Sequence, residues 1–358
     1  MKNRTITRLM LKLTNECNLG NCKYCYTKAK REGESCSRGL STRTYTGLIR
    51  HLVEDQEEGR LQELSLTGGE VFLRPDLQEI TSFALSQGVS TRINTSGTLI
   101  TPQKANALSG LAQEYGIPII FQVGLDSADK RVHEFIRGNG TFDKTLDGIS
   151  NLTNTKNPFT SISLRYTLMK KAFVEGDNVS FRDVNEDAKD YVKLASEMRV
   201  DRIKLRELLT SGYGINLKDF VLPASLIGQV QETFIEELRE KDRLNLEISW
   251  PIYFRKEVPK NEKNRVKIPP CKCLDQYVSI DADGGVVGCV LLMGHPEQYI
   301  GNILSKDIIQ IFNSSIACQM LNERYANGRA GGRCYAIDHV HQEKGINVEL
   351  REKEANKK

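Results

Sequence analysis

The chain has 358 residues, 39% of them hydrophobic and 27% charged, with a formal net charge of +4. These figures describe a globular protein with room for a barrel-sized domain and a smaller one, and the charge alone does not argue for a nucleic-acid partner. No apolar run approaches a membrane span, and Met1-Lys2-Asn3-Arg4 leads into a strand without a signal-peptide apolar region, so a cytoplasmic protein with no membrane partner is expected.

Strand-like and helix-like patterns alternate from residue 5 to about residue 210. Thr5–Thr14, Leu61–Thr67, Val89–Thr95, Pro118–Asp126, Ser161–Met169 and Arg202–Leu209 are short and rich in Ile, Leu or Val, with Gly, Asp or Ser near their ends. Between the first two, Tyr45, Leu48, Ile49, Leu52 and Val53 recur on one helical face behind Ser41 as N-cap; Leu77, Ile80, Phe83 and Ala84 follow Asp76 in the same way. Six such units predict a parallel sheet with helices outside. Residues 171–187 read as a polar insertion after the fifth strand. A long helix from Pro223 to about Arg243 follows, then Arg255–Pro270, rich in Lys, Arg and Pro, as a surface linker. Residues 342–358 read as a charged, fraying tail.

The nine cysteines cluster near both ends. In a reducing compartment such clusters point to metal rather than disulfides. Cys17, Cys22 and Cys25 lie within nine residues, after the first strand, and Thr67-Gly68-Gly69-Glu70 stands at the end of the second. Three thiolates can leave one position of a metal centre free for another ligand. The bland alternatives are a zinc knuckle using His51 and a tight turn with an exposed Glu70.

Together these pieces resemble the radical S-adenosylmethionine (radical SAM) enzymes. The resemblance implies a partial (β/α)6 TIM-type barrel with its chemistry at the C-terminal strand ends. It implies that Cys17, Cys22 and Cys25 hold a 4Fe–4S cluster whose open iron binds SAM, and that reductive cleavage of SAM yields a 5′-deoxyadenosyl radical for hydrogen abstraction. The family spacing is C-x3-C-x2-C and this chain has C-x4-C-x2-C, so Gly20 or Asn21 must absorb one extra residue, as positive φ would allow. By the same resemblance Tyr24 lies near the adenine, and Gly68, Gly69 and Glu70 contact the SAM amino group. Asn94, Ser96 and Arg165 contact its ribose and carboxylate. The alternatives are a packed Tyr24 and cap or turn roles for the others. Asp126-Ser127 reads equally as a helix cap. Arg137-Gly138 resembles family members, with a surface turn as the plain reading.

Cys273 and Cys289 frame a hairpin, Tyr277–Ile280 and Val286–Val290, turning at Asp281–Gly285. With Cys334 this order resembles the SPASM and twitch extensions that carry auxiliary 4Fe–4S clusters. The small C-terminal α+β iron–sulfur domain is then expected to hold one auxiliary cluster on Cys273, Cys289 and Cys334, with Cys271 as fourth ligand or Cys318 in its place. A zinc site using His339 or His341 is the alternative. Cys318 or Cys36 is a candidate hydrogen-atom donor for an epimerase.

The expected organisation is a radical SAM barrel over 1–220, a helix and linker over 221–270, an auxiliary-cluster domain over 271–340 and a tail over 341–358. The expected activity is modification of a ribosomally made peptide by cross-linking, epimerisation or oxidation, with a flavodoxin or ferredoxin as electron donor. An oxidoreductase or epimerase acting on a sugar or aminocyclitol is the alternative, and a non-catalytic metal-binding scaffold the alternative of another class. Many peptide enzymes carry an N-terminal recognition domain, and no room for one is expected before Thr5.

Overall fold

The computed structural model describes residues 4–20, 22–25, 30–31, 38–56, 59–209, 217–239, 241, 243–249, 266–267 and 272–324. In chain order these form β1 (Arg8–Lys12), β2 (Glu16–Cys17), β3 (Lys30–Arg31), α1 (Thr42–Glu54), β4 (Glu63–Thr67), α2 (Leu77–Ser86), β5 (Ser90–Thr95), α3 (Pro102–Tyr115) and β6 (Ile119–Gly124). Then come α4 (Lys130–Arg137), α5 (Thr141–Asn154), β7 (Thr160–Leu168), β8 (Lys171–Glu175), β9 (Asn178–Arg182), α6 (Val184–Glu197), β10 (Arg202–Glu207) and α7 (Ala224–Leu238). The last are β11 (Asn245–Ile248), β12 (Val266–Lys267), β13 (Tyr277–Ile280), β14 (Gly285–Val287), β15 (Tyr299–Asn302), α8 (Ile308–Phe312) and α9 (Ser315–Arg324).

One sheet runs β12-β11-β10-β7-β6-β5-β4-β1-β13-β14-β15. From β12 to β13 every pairing is parallel, and β14 and β15 then run antiparallel. The helices that link these strands close one face, which makes a partial α/β barrel. Leu9, Leu11, Leu64, Leu66, Ile93, Phe121, Ile162, Leu164, Ile203 and Leu205 point to those helices and are at or near zero exposure, each worth roughly 1.5–3 kcal/mol of burial. Most of the intervening residues, which face the lumen, are polar, among them Lys12, Ser65, Asn94, Gln122, Ser163, Lys204 and Glu247; Met10 and Ile120 are the apolar ones. A parallel strand packed on both sides would read as an unbroken apolar run; the alternation here marks an interior built to meet something polar.

Capping explains where the helices begin. Ser41 accepts from the Thr44 N–H, Thr101 from Lys104 with Pro102 at the first helical position, and Asp183 from Asn185 and Glu186. Asp76 makes no cap bond at α2; its carboxylate is taken by Arg74 and Thr42 instead.

Three expectations are corrected. The stretch taken as helix and linker also supplies β11, which pairs with β10, and β12, which pairs with β11 and buries Val266. Residues 251–265 of the linker lie outside the described residues. The C-terminal hairpin, expected within a small domain of its own, is continuous with the barrel sheet. Its β13 pairs with β1 from Arg8↔Tyr277 to Leu11↔Ile280, so the barrel sheet runs into it. The polar insertion is a two-stranded hairpin, β8–β9, in which Lys171 is fully buried while Val174, Val179 and Phe181 are more than half exposed.

After β14, Val290, Leu291, Leu292 and Met293 pack in one cluster with Met10 of β1 and with Leu209, which follows β10. Apolar residues from the second cysteine region thus reach across the polar lumen.

Candidate active site

The chain leaves β1 and runs antiparallel to nothing; it lies instead along the end of β4. Leu13 N–H donates to Thr67 O at 2.7 Å, Gly69 N–H to Thr14 O at 2.8 Å and Glu70 N–H to Glu16 O at 2.8 Å. The two backbones are so close that a Cβ on Gly68 would sit 2.7 Å from Thr14 O, and one on Gly69 would sit 1.9 Å from Glu16 O. The Gly-Gly pair was expected to admit a ligand; its visible role is to admit the cysteine strand itself.

That strand delivers Cys17, in β2. The next residues turn, with Gly20 at φ +61°, the left-handed conformation that the longer cysteine spacing demands. The Leu19 and Gly20 amides hydrogen-bond the Cys17 sulfur. Cys25 N–H donates to Cys22 O at 3.0 Å, and Lys23 N–H to Ile136 O at 3.0 Å, which ties the loop to α4. None of Cys17, Cys22 and Cys25 is in a disulfide. They lie near enough for their charges to interact, and burial pushes the Cys17 pKa up and that of Cys22 to about 12, with Arg137 pulling Cys22 down.

Tyr24 sits inside this loop and is fixed by a buried ion pair. Its hydroxyl donates to Asp126, 2.6 and 2.8 Å from the two carboxylate oxygens, and accepts from Arg137 Nη2 at 2.6 Å. Arg137 Nε donates to Asp126 Oδ2 at 2.5 Å, with the arginine side chain 5% exposed and the carboxylate 0%. Burial alone would raise the Asp126 pKa, but Arg137, Lys171 and the Tyr24 hydroxyl outweigh it and hold the carboxyl at about 2. His133 is kept neutral, its pKa pressed to about 3 by burial and by Arg137, and its Nδ1 accepts the Asp126 N–H at 3.3 Å. Lys171 Nζ donates to the carbonyls of Asp126 and Thr167 at 2.6 and 2.9 Å. Asp126 is therefore no helix cap, a role that Asp129 takes, and Arg137 is no surface residue. The sequence signal for the pair was the Arg137-Gly138 likeness alone.

Glu70 is fully buried, and four donors fill its oxygens: Phe72 N–H at 3.2 Å, Thr95 Oγ1 at 2.7 Å, and Ser96 N–H and Oγ at 2.8 and 2.6 Å. The exposed-turn reading fails, and Ser96 acts as a brace for Glu70. Asn94 donates to Ser65 Oγ at 3.0 Å and Leu66 O at 2.9 Å and accepts from Gln122 at 2.6 Å. Arg165 differs from both: it lies on the lumen face of β7, within electrostatic reach of Tyr24. His51 is not a ligand here, because Asp55 and Asp307 occupy its two ring nitrogens at 2.8 and 2.6 Å.

Cys273 precedes β13, at the N-terminal end of the β1–β13 pair, whereas Cys289 packs on the Val287–Met293 cluster. Leu274, beside Cys273, has φ +59°, a strained conformation for a leucine. Gly288, beside Cys289, leaves room for the Leu274 side chain, which a Cβ there would meet at 2.6 Å. Arg4 donates to Leu274 O at 2.5 Å and to Cys318 Sγ at 3.5 Å. Leu274 is thus approached by the backbone beside Cys289 and shares Arg4 with Cys318. Because Arg4 precedes β1 while Cys17 follows it, Cys318 is remote from the first cysteine loop, and its expected role as hydrogen-atom donor there is corrected. Cys36, Cys271 and Cys334, with His339 and His341, lie outside the described residues.

Three cysteine sulfurs outside any disulfide at the C-terminal mouth of a parallel barrel, one receiving backbone amides, suit a metal–sulfur cluster. Among the described residues no three His, Cys, Asp or Glu side chains close around a single ion, whereas thiolates on a cluster bind separate irons. The fold and site define an enzyme built on an iron–sulfur centre. Comparison with family models makes the assignment specific: residues 11–173 match the radical SAM superfamily and residues 271–335 the SPASM iron–sulfur cluster-binding domain, and the chain belongs to the radical SAM superfamily, with a C-terminal SPASM domain. Its cofactors are accordingly SAM and 4Fe–4S clusters.

Among relatives, the mycofactocin maturase MftC of Mycolicibacterium smegmatis is 30% identical over 146 residues, 41% of this chain and 34% of that protein. The chain thus spans about a third of the first curated relatives it matches. The AdoMet-dependent heme synthase of Methanosarcina barkeri is 25% identical over 89% of this chain and 86% of its own length. The structure of Streptococcus suis SuiB bound to S-adenosylmethionine matches in fold with a TM-score of 0.65 at 12% identity, covering 93% of this chain and 72% of SuiB; SuiB bound to precursor peptide SuiA matches at 0.64.

Among the described residues no helix is long and apolar enough to cross a membrane.

Proposed function

We propose that this radical SAM enzyme modifies a ribosomally made peptide by cross-linking, epimerisation or oxidation, drawing electrons from a flavodoxin or ferredoxin. The observation that carries the reading is the pairing of a radical SAM barrel with a SPASM region in a chain whose fold matches that of SuiB, which has been solved with its precursor peptide. The 30% identity to mycofactocin maturases supports it.

Cys17, Cys22 and Cys25 would hold the core cluster, and Cys273 and Cys289 part of an auxiliary one, with Cys318 placed to contribute. When bound, the cluster and SAM supply a primary carbon radical able to take hydrogen from an unactivated C–H bond. The chain's own residues orient and seal. Arg137 and Asp126 hold Tyr24, and through it the loop between Cys22 and Cys25. Glu70 locks the end of β4 to the end of β5. Val290–Met293 shield the lumen, which keeps stray hydrogen donors from the reacting carbon.

A second reading, a small-molecule substrate, is favoured by the end-to-end match to the heme synthase. An aminocyclitol fits less well: among the described residues the lumen carboxylates Glu63, Glu247 and Asp281 are all paired to Arg or Lys.

The test is anaerobic reconstitution with iron and sulfide, reduction, and assay of 5′-deoxyadenosine, first alone and then with short peptides encoded beside the gene. A peptide that loses two hydrogens, or takes up one deuterium from D2O, confirms the proposal. Cofactor cleavage with no change in any such peptide rejects the peptide reading while leaving the family intact.

A further inference from the structure

Among the described residues the lumen wall carries more cationic than anionic side chains. Of the cations on its wall, Lys12 pairs with Asp281 at 3.0 Å, Arg92 with Glu63 at 3.5 Å, and Lys204 and Arg202 with Glu247 at 2.6 and 3.3 Å. Arg165 and Arg206 are different. They alternate with Leu164 and Leu205, which face the helices, so both project to the lumen from adjacent strands, β7 and β10. Both are half-buried, and among the described residues neither guanidinium has a hydrogen-bond or ion-pair partner. Below them on the same wall, Ser163 Oγ and the neighbouring Gln122 Oε1 are buried and unpartnered. Ser163 is 0% exposed and Gln122 2%. Buried polar atoms left unmatched in a folded protein call for a partner, and two unneutralised guanidinium groups side by side repel unless an anion joins them.

We infer that Arg206 anchors an oxyanion of the substrate, and that under the peptide reading above this is the carboxylate of an acidic side chain. Arg165, nearer Tyr24 and the first cysteine loop, serves the cofactor end of the lumen; Arg206, a strand further on, serves the substrate end. A guanidinium binds a carboxylate or phosphate in two parallel hydrogen bonds, which fixes direction as well as position. That is what a site needs when one C–H bond among several must be presented to a radical. A free phosphate-bearing molecule offers the same chemistry from another source.

The experiment is calorimetric titration of the anaerobically reconstituted protein saturated with SAM, so that the cofactor carboxylate is already in place. The probes are N-acetyl-tetraglutamate amide, its tetraglutamine counterpart and inorganic pyrophosphate. The expected result is binding of tetraglutamate but not tetraglutamine, weakened about tenfold or more by Arg206→Gln, with SAM affinity unchanged. Arg206→Lys should recover part of the loss, which a misfolded variant would not. Arg206-dependent binding of pyrophosphate in preference to tetraglutamate keeps the oxyanion site and moves the substrate to the small-molecule class. The inference is overturned if neither anion binds, if both bind equally well to Arg206→Gln, or if that variant loses SAM affinity instead. The 5′-deoxyadenosine assay reports separately on the radical SAM reading.

Discussion

The guanidinium of Arg137 occupies the space that a side chain at Gly124 would need: a Cβ there would lie 2.4 Å from Arg137 Nη2. The end of β6 is thereby left bare so that a cation from α4 can lie over it, between Asp126 and Tyr24. The guanidinium cannot swing aside, because Asp126 and Tyr24 hold it on two sides.

Gly124→Ala should therefore destabilise the protein by about 1–3 kcal/mol, the usual cost of overpacking. Arg137→Met, which strands the Asp126 carboxylate, should cost roughly 3–5 kcal/mol. Urea unfolding of both variants checks the order, and a smaller loss for Arg137→Met than for Gly124→Ala would refute the central place given to the ion pair.

Replacing Glu70 by Gln turns an all-acceptor group into one with two donors. Four donors point at it, so at least one is left facing another N–H or O–H, at a cost of about 1–3 kcal/mol. The effect should appear as reduced protection of the Ser96 amide in hydrogen exchange. Unchanged protection would show that Glu70 is not the brace between β4 and β5.

His51 joins α1 to the start of α8 through Asp307. Burial disfavours its charge, but Asp55 and Asp307 outweigh that and raise its pKa. A raised folded pKa gives stability that is complete below the unfolded value of about 6.5 and is lost as pH climbs through the folded one. The pair is partly exposed, so the loss should be about 1 kcal/mol or less. Asp307→Asn should flatten the fall in stability as pH rises above about 6.5; an unaltered slope would assign the pH dependence elsewhere.

Cys22→Ala should abolish 5′-deoxyadenosine formation in the reconstituted protein, and Cys289→Ala should remove about half of its iron, since each cluster depends on its thiolates. Full iron content in Cys289→Ala would remove the auxiliary cluster.

The barrel strands were readable because each is a short aliphatic run with turn residues at its end, and the cysteine loop because its spacing is rare by chance. Asn245–Ile248 escaped notice: a four-residue strand between charged stretches carries too little periodicity. The union of β13 with β1 is a pairing between distant segments, which no local pattern encodes. Asp126 and Arg137 could each be read as a cap or a turn residue, since only folding reveals that they bury one another. Gly68 and Gly69 were noticed for the right reason, close approach, but the approaching group is the chain's own backbone.

The seam between β1 and β13 also bears on how the molecule is made. Thr7 reaches Gln276 across 269 positions of sequence, so during synthesis the first strand emerges long before the neighbour that will cover its second side. At roughly 5–20 residues per second, that flank stays bare for something like a quarter of a minute to a minute, next to three reactive thiols. A chaperone that shields nascent strands, or delayed delivery of iron and sulfide, would decide how many chains reach the finished barrel.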